Sequence, residues 1–134
     1  MAKKKSSNKQ ADKVIKNYLN LFYMSPKAFK AKDIGDVLSE DKNKKFEHWE
    51  DMNVLEMELS SGNTIDFEPM KPDFEDPSDK SFIKNRMIQT IFAVTVCEDD
   101  IEEAKLHFEG IIEKLEGFLC TDSEDFKPFY VGGK

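Results

Sequence analysis

The sequence is short of the residues with which proteins do covalent chemistry. It has two cysteines and two histidines, and no two of the four are spaced as a CxxC pair, a Cys/His metal motif or a nucleophile with its base. Cys97 and Cys120 each lie inside an apolar segment, where a free thiol packs as a small hydrophobe. The acids that follow Cys120 disfavour the thiolate a nucleophile needs. The six glycines form no GxGxxG or GxxxxGK[ST] loop, so glycine-cradled phosphate binding has no support. Arg86 is the only arginine. Lysine lacks the planar fork that reads guanine or grips phosphate bidentately, which disfavours base-specific nucleic-acid recognition. No apolar run approaches the ~20 residues of a membrane span, and no apolar core follows MAKKKSSNKQ. A cytoplasmic protein without membrane attachment is therefore expected.

Phenylalanine and charge, by contrast, are plentiful. Eleven phenylalanines in 134 residues supply large buried areas, enough for one domain with a core. Charge is unevenly placed: Met1 to Lys32 holds nine lysines against Asp12 alone, a net +8, while the remainder carries −15. An acidic body with a basic N-terminal segment repels nucleic acid and anionic membrane over most of its surface. The lysines are suited to nucleic acid or an anionic membrane, or to an acidic surface of the same chain, of a second copy, or of a partner.

The hydrophobic pattern divides the chain into a lysine-rich, disordered tail over 1–10 and one α+β domain over 11–134, helical in 11–45 and sheet-forming in 53–131. Val14, Ile15, Tyr18, Leu19 and Phe22 recur at helical spacing and predict a helix over Ala11 to Tyr23. Ser25-Pro26 predicts a second helical segment through Phe29, and Asp33 is placed to cap a third turn carrying Ile34, Val37 and Leu38. From Met52 the period becomes two: Leu55, Met57 and Leu59, then Ile65 and Phe67, alternate with acids around an SSGN turn, a hairpin with one acidic face. KPDFEDPSDKSF, with its two prolines, reads as a loop. Met87 to Cys97 is apolar on both parities and predicts a strand covered on both sides. In Asp100 to Glu116, Ile101, Ala104, Phe108, Ile111, Ile112 and Leu115 form a helical stripe behind an acidic start, with Gly117 as a left-handed stop. Two short strands, Phe118 to Thr121 and Phe126 to Val131, close the chain. The expected fold is a mixed or antiparallel sheet of about five strands in the order α-α-β-β-β-α-β-β. The long helix covers one face, and the N-terminal helices cover the other face or an edge.

Candidate functional residues are acids. Glu56, Glu58, Asp66 and Glu68 come from the hairpin, Asp73, Glu75 and Asp76 from the proline-rich loop, and Asp122, Glu124 and Asp125 from the turn after Cys120. Oxygen-rich loops can hold hard cations, but the spacing in the last turn departs from the EF-hand pattern, and Asp and Ser are also what tight turns require. His107 falls beside an apolar stripe and His48 beside Trp49, neither with a second ligand or nucleophile. No catalytic residue, metal or cofactor is expected. The expected function is a non-enzymatic protein-binding module of adaptor, chaperone-like or immunity type, whose acidic face meets a basic or amphipathic protein partner, with room for a homodimer. The alternatives are a small carboxylate-based metal-dependent enzyme and a nucleic-acid-associated factor that uses the lysine-rich arm.

Overall fold

Five consecutive residues, Leu21 to Ser25, are buried, and such a run fits only an element covered on both sides. It belongs to a strand. The computed structural model describes residues 17–40, 45–71, 74–121 and 128–130. In it strand β1 (Tyr18–Ser25) is followed by helix α1 (Ala31–Leu38), strands β2 (Phe46–Trp49), β3 (Val54–Glu58) and β4 (Thr64–Met70), and helix α2 (Pro77–Asn85). Strand β5 (Thr90–Cys97), a 3-10 turn (Glu98–Asp100), helix α3 (Ile101–Leu115) and strands β6 (Phe118–Thr121) and β7 (Pro128–Tyr130) complete the order.

One sheet holds all seven strands in the order β2-β3-β4-β5-β1-β6-β7, and every pair is antiparallel. The α+β class and the antiparallel sheet agree with the sequence reading; the count of about five strands does not. Two strands are added to the expected five: Phe46–Trp49 forms one edge, and β1 enters the middle of the sheet, where a helix over Ala11 to Tyr23 was expected. The first six residues of that span lie outside the described residues. The rest is extended because Leu21 and Tyr23 pack on one face while Phe22 and Met24 pack on the other. Burial on both parities leaves no period-two signal, so helical spacing was mimicked by chance. The segment after Ser25-Pro26 forms no helix either. Thr90 instead ties it to β5, accepting from the Phe29 amide at 3.2 Å and donating to the Lys27 carbonyl at 2.6 Å.

Helix α1 begins earlier than expected. Asp33 lies one turn inside it and accepts from the Lys30 amide at 2.9 Å, while Asn53, from the β2–β3 turn, accepts from the Ala31 amide at 2.7 Å. Helices α1 and α3 pack side by side on the same face of the sheet, over a core that includes Ile34, Leu55, Phe67, Phe92, Val94 and Phe108. The six stripe residues of α3 all contribute to it. Part of the opposite face is covered by α2, in a stretch that the sequence reading assigns to a loop. Its proline stands at the first helical position and Asp76 caps it, accepting from the Ser78 amide at 2.7 Å, so the residues that suggested a loop are those that start a helix. Ile83 and Phe82 then pack with Phe22, Met24, Ile91, Cys120 and Phe118.

The C-terminus of α3 is held by the central strand. Tyr23 Oη donates to the Glu116 carbonyl, and Ser25 Oγ donates to the Leu115 carbonyl at 2.7 Å. These side chains satisfy carbonyls that the helix itself leaves unpaired. Burial pushes the Tyr23 phenol well above its ordinary value, so it remains a neutral donor. At its other end α3 is latched to the β3–β4 turn: Asn63 Nδ2 donates to the buried Asp100 at 2.9 Å, and Ser60 Oγ donates to Glu103 at 3.0 Å.

Candidate functional site: the open half of the sheet

Among the described residues, helix α2 packs over β5, β1 and β6 and against Met70 at the end of β4, while β2, β3 and the rest of β4 carry no helix on that side of the sheet. Residue alternation decides what this open area presents. Phe46, Leu55, Met57, Ile65 and Phe67 turn toward α1 and α3, so the residues between them turn the other way. Register aligns these into a row: Glu47 stands opposite Glu56, Glu56 opposite Asp66, Asp66 opposite Thr95, and Thr95 opposite Asn20. Three carboxylates therefore occupy adjacent strands at the close spacing of directly paired residues, roughly 5 Å between Cα atoms. Glu58, opposite Thr64, and Glu68, opposite Ala93, flank the row. Trp49 and its partner Val54 share the same face at one side, and Trp49 is 38% exposed.

The electrostatics follow from this crowding. Asp66 accepts from Thr64 Oγ1 at 2.9 Å. Glu56 is half-buried, and burial, followed by the Asp66 charge, a hydrogen bond shared with Asp66 and the more distant Glu47 charge, pushes its carboxyl above the usual carboxylate range. None of Glu47, Glu56, Glu58, Asp66 and Glu68 belongs to an ion pair among the described residues. Lys45, Phe46, Glu47, Glu56, Glu58 and Thr64 line a shallow groove of about 260 Å³.

The hairpin acids singled out in the sequence, Glu56, Glu58, Asp66 and Glu68, are brought together here. Glu75 and Asp76 are not in the row: both precede α2 as exposed residues, and the Asp76 carboxylate is occupied as a helix cap. Asp73, Asp122, Glu124 and Asp125 lie outside the described residues. Sequence reasoning missed Glu47 and Trp49. The alternation of Phe46 and His48 with Glu47 and Trp49 was a usable signal, but four residues of it beside a polar stretch did not register as a strand. The same alternation separates His48 from the carboxylates, since it pairs with Leu55 on the α1 side.

An open face of this kind can bind cations by charge and contact. General acid-base catalysis would also need a substrate pocket and a second positioned group beside the Glu56–Asp66 pair. Among the described residues no group of three or more His, Cys, Asp or Glu side chains is arranged to hold a metal ion, and no helix is long and apolar enough to cross a membrane. No family model, curated protein or solved structure matches the chain.

Proposed function

We propose that the protein is a non-enzymatic cytoplasmic binding module, of adaptor, chaperone-like or immunity type, whose open sheet half engages a basic or amphipathic segment of a partner protein. One observation carries this reading: five carboxylates on β2, β3 and β4 share a face that no described helix covers, with no ion pair among the described residues. Like charges directly opposite in a sheet are unfavourable. A cationic segment laid across the row removes that repulsion, and the free protein cannot gain this stabilisation from its described residues. Trp49 offers the segment an aromatic surface for a lysine or arginine, and Val54 offers an apolar one. The complementary charge also speeds encounter.

The test compares the native chain with a variant in which Glu47, Glu56, Glu58 and Glu68 are changed to Gln and Asp66 to Asn. Affinity capture from the source cell, followed by native mass spectrometry, is expected to recover a stoichiometric basic partner with the native chain and to lose it with the variant. Equal recovery by both, or no protein partner and no self-association with either, overturns the proposal.

A further inference from the structure

We infer that the first occupant of this face is the chain's own lysine-rich segment, residues 1–16, held there by charge. The inference rests on reading the open sheet half as a cation-binding surface, and it adds a competitor built into the chain. The occupant has to be cationic, since the face presents Glu47, Glu56, Glu58, Asp66 and Glu68 against Lys45. The densest positive charge in the chain is Lys3, Lys4, Lys5, Lys9, Lys13 and Lys16, set against Asp12 alone.

Attachment puts that charge within reach. The segment joins the described chain at Asn17 and leads into β1, whose Asn20 stands in the same row as Asp66, Glu56 and Glu47. With neighbouring strands about 4.8 Å apart, Asp66, Glu56 and Glu47 lie about 10, 14 and 19 Å from Asn20 along the row. Sixteen residues span up to about 55 Å, so the lysines can meet every carboxylate of the face. Tyr18, 50% exposed at the entry to β1, lies on the same face as Asn20 and adds an aromatic contact at the joint. Tethering raises the effective concentration of the segment to the millimolar range, enough for contacts that are individually weak. A partner must then displace the lysines, so its affinity depends on their charge.

A nitroxide attached to the Ser7→Cys chain tests the contact, since Cys97 and Cys120 are buried. At about 20 mM salt, amide signals of Glu47, Glu56 and Asp66 should lose more than half their intensity. They should recover at about 0.5 M salt, where charges are screened within a few ångströms, and likewise when the six lysines are changed to Gln. Unchanged intensities overturn the inference. So does broadening that appears in an isotope-labelled, nitroxide-free chain mixed with spin-labelled chain, because the occupant is then a second copy. A hexalysine peptide titrated onto the lysine-to-glutamine variant separates the two readings. If it shifts the same amides and binds about fivefold more tightly than to the native chain, as expected when a competitor fills the face four-fifths of the time, both stand. If it binds the two chains equally, the self-contact is wrong and the cation-binding face survives. If it binds neither, both are wrong.

Discussion

A methyl group added to Gly117 would lie 2.1 Å from the Met24 carbonyl oxygen and 2.9 Å from Ser25, and the residue has φ +93°. Neither the backbone angle nor the space tolerates a side chain. Gly117→Ala should therefore cost about 3 kcal/mol, combining left-handed strain with overpacking against a central strand. Urea unfolding gives the value, and a loss below about 1 kcal/mol would show that the close approach is relaxed in solution. The neighbouring Tyr23→Phe substitution removes only the donor to the Glu116 carbonyl. It should cost about 1 kcal/mol, the usual net value of one hydrogen bond, with unchanged secondary structure by circular dichroism. Glu56 differs in sign. Its raised folded pKa means that the folded state holds more protons than the unfolded state across the window from the ordinary carboxylate value up to the raised one. The stability this proton contributes is present below that window and is lost as pH rises through it. Glu56→Gln should thus stabilise the protein by about 0.5 kcal/mol at pH ~7, with the gain vanishing below pH ~4. A difference from the native chain that does not vary with pH would remove the Glu56–Asp66 contact as its source.

At the scale of elements, local signals located most boundaries that carry their own chemistry. The α3 stripe, its acidic start and its glycine stop were all legible, as was the β3–β4 hairpin with its SSGN turn, because each repeats a period long enough to count. Helix α2 is not legible in the sequence because its nine residues bury Ile83 alone, too little for a visible stripe, and because a proline marks a loop as readily as a helix start. Asp76→Ala tests that assignment. Loss of the cap should cost about 1 kcal/mol and speed amide exchange within Pro77–Asn85 while leaving α3 protected. Unaltered exchange there would mean that Asp76 does not cap α2.

At the scale of the whole molecule, β1 is the first of the described strands, yet it lies between β5 and β6 and pairs over eight positions with β5. Its contacts are therefore far apart in sequence. A chain that begins after Ser25 should lose cooperative thermal unfolding altogether, because β5 and β6 would each face an empty lane and α3 would lose its Tyr23 and Ser25 anchors. A retained sharp transition would argue that β5 and β6 can close on each other. Among the described residues the two faces of the sheet also differ as a whole: α1 and α3 pack over one, α2 over only part of the other, and the candidate site is the remainder.

What the amino-acid order determined by itself was the class and its materials. The apolar residues on both parities of Met87 to Cys97, the alternation of Leu55, Met57, Leu59, Ile65 and Phe67 with acids, and the split between a basic start and an acidic body follow from spacing and charge without any tertiary contact. Glu56, Glu58, Asp66 and Glu68 could be named for the same reason. Only the tertiary structure decided that Tyr18–Ser25 is a central strand, since burial from both sides is imposed by α2 on one face and α3 on the other. Only the sheet register put Glu47 beside Glu56 and Asp66, because strand pairing joins residues nine and ten positions apart that no sequence period links.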